Sequence, residues 1–150
     1  MKVVIQRVLR ASVEIEENVY SSIDKGLLVL LGIEDEDNDT DVNWLINKII
    51  NIRIFEDKDG LMNLSLKDIK GELLLVSQFT LHASTKKGNR PSYIKAAKPS
   101  ISEPLYVKFI EYLRIELGNS VRTGVFGADM KVELLNDGPV TIIIDSKDRR

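Results

Sequence analysis

The chain has 150 residues, a length at which a single domain buries about two-thirds of its unfolded surface and needs no covalent staples. It has no cysteine and one histidine, which excludes disulfides, thiolate metal sites, ordinary zinc centres and most nucleophilic triads, and fits a reducing, cytoplasmic setting. The formal net charge is −2, yet residues 73–102 hold no acid and five bases, Lys86, Lys87, Arg90, Lys95 and Lys98, leaving 16 basic against 23 acidic residues elsewhere.

In chain order, KVVIQRV and ASVEIEE alternate apolar and polar residues and predict two strands that meet at Ala11-Ser12. The N-terminal stretch reads as a strand and not as an export signal, because Gln6 and Arg7 break its apolar run and no small-residue cleavage site follows. GLLVLLGI, residues 26–33, is apolar throughout and predicts a central strand covered on both faces. Its longest apolar run, Leu27 to Leu31, is far short of the roughly 20 residues of a membrane span. EDEDNDTD, residues 34–41, is then a loop feeding a helix capped by Asp39 or Thr40, with Val42, Leu45, Ile46, Ile49 and Arg53 at helical spacing.

EDKDG, residues 56–60, is a turn, and Leu73 to Val76 is a second apolar strand running into SQFTL. Gly88, Pro91 and Pro99 punctuate an irregular segment, residues 82–99. A second helix is expected over about residues 101–117, with Leu105, Phe109, Tyr112, Leu113 and Leu117 on one face. Ser100 and Glu103 resemble a capping box, although Pro104 favours a start at Ser102. Met130–Leu135 and Val140–Asp145 predict a terminal hairpin around Asn136-Asp137-Gly138-Pro139, the ordinary vocabulary of turns. The sum is one α+β domain over residues 1–150: a curved or barrel-like, mostly antiparallel sheet with two main helices packed outside.

The chemistry that is missing narrows the function. There is no GxxxxGK[ST] loop and no GxGxxG, so neither nucleotide hydrolysis nor dinucleotide binding is indicated. His82 stands near Ser77, Thr80 and Ser84, but strand parity would place it with the latter two and opposite Ser77. A packing or surface role therefore suits His82 better than a hydrolase dyad. An enzyme built from this inventory must rely on backbone dipoles, hydroxyls and its substrate, and preorganised N–H groups can supply several kcal/mol at a developing oxyanion. The acid-free segment can meet phosphates despite the net charge, since screening confines each charge to about 10 Å.

Two short stretches add to this. SQFTL at residues 77–81 and NDGPVT at residues 136–141, in that order and spacing, with VVIQRV, TKKGNRPSY and GVFGADM as flanks, resemble the paired signatures of the D-aminoacyl-tRNA deacylases over nearly the whole chain. The resemblance implies a cytoplasmic homodimer that cleaves the ester between a D-amino acid and the terminal adenosine of tRNA, and that also removes mischarged glycine. It implies no cofactor and no metal, and its partner is the acceptor end of tRNA rather than DNA or a membrane.

By the same resemblance, Ser77, Gln78, Phe79 and Thr80 form the catalytic pocket floor, largely through backbone groups. Gly138 and Pro139, joined by a cis peptide, enter the partner subunit's pocket and reject L-amino acids. Phe126 and Met130 receive the adenine, Arg7 braces the Gly-Pro loop, and Lys86, Lys87 and Arg90 are placed to meet phosphates. Thr80 has no adjacent base, so orientation suits it better than covalent attack. A relative of the family with a trans Gly-Pro tolerates a small L-residue, and a tRNA-binding protein without hydrolytic activity is the reading from another class. The one local departure is His82-Ala83-Ser84, where relatives commonly carry an aromatic first and an acid third.

Overall fold

A computed structural model describes residues 1–149. It contains eight strands and two α-helices among those residues. β1 (Lys2–Ile15) is the organising strand. The two strands expected at its start are one, because Ala11 and Ser12 continue the ladder, pairing with Ile23 and Ser22. One edge of β1 carries β3 (Gly26–Gly32) over Lys2 to Val8 and β2 (Asn18–Ile23) over Ala11 to Ile15, both antiparallel. The β1–β2 turn is Glu16-Glu17, both at positive φ (49° and 64°). A two-residue hairpin turn demands that geometry, and no glycine announces it. The other edge of β1 carries β8 (Lys131–Asp145) from Lys2↔Asp145 to Glu14↔Lys131.

Beyond β3 the sheet turns parallel. β6 (Glu72–Ser77) pairs β3, and β7 (Val121–Thr123) pairs β6. Parallel strands need covered crossovers and both faces buried. That is why GLLVLLG and the LLLV of β6 are continuous apolar runs rather than alternating ones. Leu27, Val29, Leu31, Leu73 and Leu75 face the helices in the larger core, while Leu28, Leu74 and Val76 join Val8, Ala11, Val13 and Ile23 in a second core on the opposite face. Ser21 Oγ on β2 donates to the Thr123 carbonyl on β7 (2.8 Å), bringing distant strands together. The result is the expected α+β architecture with a nearly closed, barrel-like sheet. β4 (Phe55–Glu56) and β5 (Met62–Leu64) form a small separate ribbon around the expected turn at residues 56–60.

The crossovers carry the helices. α1 (Asp39–Asn51) buries Val42, Leu45, Ile46 and Ile49 as its spacing requires, and Arg53 lies beyond its end. Its N-cap is Asn38 and not Asp39 or Thr40: Asn38 Oδ1 accepts from the Thr40 N–H (2.9 Å), and Asp41 Oδ2 accepts from the Asn38 N–H (3.0 Å). The acidic loop before it is not left to solvent. Asp37 is buried against the Met1 ammonium (2.5 Å), and Lys147 bridges Asp37 and Asp41 (3.6 and 2.9 Å).

α2 (Pro99–Leu117) begins earlier than expected, and the Ser100/Glu103 capping box does not form. Pro99 takes the first helical position, where its fixed φ fits and no N–H is missed. Pro104 is therefore inside the helix, past its first turn. No helix among the described residues is long and apolar enough to cross a membrane.

The expected terminal hairpin is absent. β8 runs through NDGP as a single strand, with Thr141 opposite Gln6 and Asn136 opposite Val8. Residues 137–140 therefore stand against Arg7 alone, as a bulge. Its neck is closed by Asn136 Nδ2, which donates to the Arg7 carbonyl (2.9 Å) and the Val140 carbonyl (3.1 Å). The turn residues are used, but to push a tip out of a strand rather than to reverse it.

Replacing Asn38 by Ala removes the reciprocal cap of α1. Chemical denaturation of Asn38→Ala is expected to show a loss of about 1 kcal/mol with an unchanged denaturant slope; a loss near zero would show that the cap contributes nothing to the folded state.

Candidate active site

Three parallel strands, β3, β6 and β7, end side by side, and ligands favour the crevice beyond the carboxyl ends of parallel strands. A cavity of about 620 Å³ lies there. Leu31 and Ile33 from the end of β3, Ser77 to Phe79 from the end of β6, Tyr93, and Phe126 to Met130 line it. Two separated stretches singled out in the sequence, SQFTL and GVFGADM, thus meet in one place.

The geometry of SQFTL follows from where β6 stops. The Gln78 N–H donates to the Leu31 carbonyl (2.7 Å), the last link to β3. Phe79–His82 then turns into a short 3-10 helix. The first N–H groups of such a turn have no acceptor within it, and here they belong to Phe79 and Thr80. Gln78 Nε2 donates to Thr80 Oγ1 (2.6 Å), so the hydroxyl is held by an amide and not by a base. Strand parity does not extend to His82, because the strand has already ended. His82 is buried, with Nδ1 3.9 Å from Glu34 Oε2, and lies outside the cavity lining. It packs where a side chain on Gly32 would otherwise sit.

Phe79 is 56% exposed, unusual for a phenylalanine, and stands edge-on to Tyr93 with ring centroids 5.1 Å apart. Tyr93 closes the TKKGNRPSY stretch but has no role assigned to it from the sequence, and Ala96 and Ala97 beside it lie outside that stretch. An aromatic within an acid-free, proline-punctuated segment was the available signal. Lys86, Lys87 and Arg90 are exposed and do not line the cavity. They sit in a loop whose base is fixed by two backbone hydrogen bonds between Ser84 and Ser92 (2.8 and 2.9 Å). Tyr93 follows that base directly, which joins the cationic loop to the cavity lining.

On the opposite wall, Phe126 packs on Tyr106 (centroids 5.6 Å), whose hydroxyl donates to the Leu75 carbonyl (3.2 Å). Burial pushes the Tyr106 hydroxyl well above its ordinary pKa, so it stays a protonated donor. The loop turns between Val125 and Ala128, with Gly127 at φ 75°. The described residues contain no group of three His, Cys, Asp or Glu side chains that could hold a metal ion.

Arg7 is a buried arginine on β1. Its Nε donates to the Asp137 carbonyl (3.2 Å) and lies 3.0 Å from Asp137 Oδ2, while Nη1 donates to the Ile54 carbonyl (2.5 Å). It is joined to the bulge at its first residue. Gly138 and Pro139 form the exposed tip, and neither lines the cavity of its own protomer. The structure does not bring the Gly-Pro tip and SQFTL together within one chain. The Gly138–Pro139 peptide is trans, as is every peptide bond of the described residues. The cis bond implied by the resemblance is thereby corrected, and trans is the lower isomer for an X–Pro bond by about 0.5–1 kcal/mol.

A D-aminoacyl-tRNA deacylase of Flavobacterium psychrophilum is 67% identical over 149 residues, 99% of each chain. The solved structure of a c-Myc DNA unwinding element binding protein superposes with a TM-score of 0.93 at 42% identity, covering 97% of this chain and 98% of that one. A probable eukaryotic D-amino acid tRNA deacylase shares the fold, with a TM-score of 0.83 at 18% identity over 95% and 97% of the two chains. The family model described as D-Tyr-tRNA(Tyr) deacylase matches residues 4–145, and the chain belongs to that family.

Proposed function

We propose that this protein hydrolyses the ester between a D-amino acid and the terminal adenosine of tRNA, releasing the free amino acid and tRNA. The observation that carries this reading is the cavity at the carboxyl ends of β3, β6 and β7, floored by Ser77 to Phe79 and walled by Phe126 and Met130. A cavity of this size suits an aminoacyl-adenosine end, and the apolar wall suits a base. The 67% identical relative bears the name of this activity.

The step requires water to add to the ester carbonyl and the ribose oxygen to leave with a proton. Ser77, Gln78 and Phe79 at the floor offer no base; Thr80, outside the lining, has its Oγ1 engaged by Gln78, and His82 is buried elsewhere. The adenosine 2′-hydroxyl then helps activate the water, and the free N–H groups of Phe79 and Thr80 stabilise the oxyanion. Lys86, Lys87 and Arg90 contact phosphates near the acceptor end, which positions tRNA without reading its sequence.

Selectivity comes from a second copy of the chain, in a cytoplasmic homodimer. The tip at Gly138 and Pro139 lies away from its own cavity, and among the described residues β1 is the one strand that β8 ladders with, leaving β8 an outer edge, with Leu135 and Ile143 exposed. An open edge of this length is a surface that proteins cover. The tip carbonyls of one protomer hold the substrate ammonium in the other's cavity. An L side chain then collides with backbone, a D side chain points outward, and glycine passes for want of a side chain. A second reading is the related deacylase type that accepts a small L-residue: the trans Gly138–Pro139 peptide suits it, while the intact SQFTL argues against it.

Deacylation of D-tyrosyl-, glycyl-, L-alanyl- and L-tyrosyl-tRNA decides between them. The first reading expects turnover of the D and glycyl substrates only; cleavage of L-alanyl-tRNA selects the second, and no turnover at all leaves a tRNA-binding protein. Gly138→Ala places a Cβ 2.7 Å from Arg7 Nη2 at a φ of 103°, where an L-residue is strained by about 1–2 kcal/mol. We expect a folded protein whose kcat/KM on D-tyrosyl-tRNA falls at least about tenfold, or which begins to cleave L-tyrosyl-tRNA; unchanged rate and selectivity would exclude the tip from the site. Neutralising Lys86 and Lys87 to Gln should flatten the dependence of log K on log salt for tRNA by about 1.4, at about 0.7 per contact with a single strand. An unaltered slope would place the tRNA elsewhere.

A further inference from the structure

The loop between β7 and β8 closes on itself. Its first residue, Gly124, meets its last, Met130. A Cβ built on Gly124 would lie 2.5 Å from Met130 Sδ and 3.6 Å from its Cε, with Val76 Cγ2 at 3.8 Å. Gly124 is tethered against retreat, because its N–H donates to the Leu75 carbonyl at 3.0 Å. Its φ lies in a range that any residue adopts. Glycine is therefore required here for room, not for backbone angle. The Met130 thioether fills the space that a side chain would occupy.

That contact lies directly behind the cavity. Met130 and Val76 both line it, together with Phe126 from the same loop. We propose that Gly124 is a positioning residue for the base-binding end of the cavity: by letting the Met130 thioether recess against its bare Cα, it sets the depth available to the adenine between Met130 and Phe126. The inference rests on the proposed function, because it takes the ligand to be the terminal adenosine. A thioether is polarisable and makes favourable contacts with aromatic rings. It is also unbranched with freely rotating bonds, so a methyl group at Gly124 moves it into the cavity rather than unfolding the chain.

Two readouts test this: steady-state kinetics on D-tyrosyl-tRNA, and titration with adenosine 5′-monophosphate followed by NMR, which needs no turnover. Gly124→Ala is expected to raise KM about tenfold, the scale of one misplaced apolar group in a pocket, with kcat changed less than about twofold. Affinity for the monophosphate should fall in parallel. In a Met130→Ala background the same Gly124→Ala change should have no further effect, since a residue acting through another loses its influence when that other is removed. Unchanged KM and nucleotide affinity, an equal effect with Met130 truncated, or a fall confined to kcat would each overturn the inference. So would failure of Gly124→Ala to fold, with or without Met130→Ala, because the contact would then be structural. If the wild-type protein binds the monophosphate with this pattern but leaves D-tyrosyl-tRNA intact, the inference stands and the proposed function fails.

Discussion

The guanidinium of Arg7 is the tie on which the long β1–β8 pairing depends. An arginine removed from water carries a penalty of several kcal/mol unless its donors are met and its charge is balanced. Here the Asp137 carboxylate balances it, and the carbonyls of Asp137 and Ile54 accept its N–H groups. These partners lie on different elements, the bulge and the segment after α1. One side chain thus ties the only long interruption of the β1–β8 ladder to the body of the fold. With Asn136 closing the neck, the base of the bulge is fixed on both sides, and recognition by steric collision requires a fixed base.

The molecule separates two tasks by placing them on different kinds of strand. The parallel part, β3, β6 and β7, gathers strand ends in one plane and makes a crevice from carbonyl-end loops. The antiparallel part, β1 with β8, presents an edge and a tip. Cavity and tip do not meet in one chain, so a complete site on the proposed reading contains parts of two. Such a site exists only at concentrations where copies associate, and its geometry is set by the symmetry of that association as much as by either protomer.

How much of this was legible depended on range. GLLVLLG and LLLV announced buried central strands, because burial on two faces leaves a continuous apolar run. The spacing of Val42, Leu45, Ile46 and Ile49 announced α1. NDGP misled because turns and bulges draw on the same residues. What separates them is whether the flanking segments pair with each other or with a third strand, and β1 lies some 130 positions away. Arg7 could not be recognised as buried from its neighbours, since its partners are Ile54 and Asp137. Asn38, Asp39 and Thr40 are all good capping residues, so local propensity does not resolve a shift of one or two positions. In the site, SQFTL and GVFGADM are visible as stretches and only the resemblance puts them in one pocket, while Tyr93 closes the quoted TKKGNRPSY stretch with no role attached to it.

The pairing of β1 with β8 has a bearing on synthesis. β1 has its longest ladder with β8, which is made long after it, and β3 and β2 cover only its other edge. Until residues 131–145 have emerged, the nascent chain displays an unpaired edge of fourteen residues with half of its hydrogen-bonding groups unsatisfied. Contacts so distant in sequence form late and slowly, and an exposed edge is where nascent chains stick to one another. The fold therefore leaves the β1 edge open to association from the time β1 is made until β8 is made.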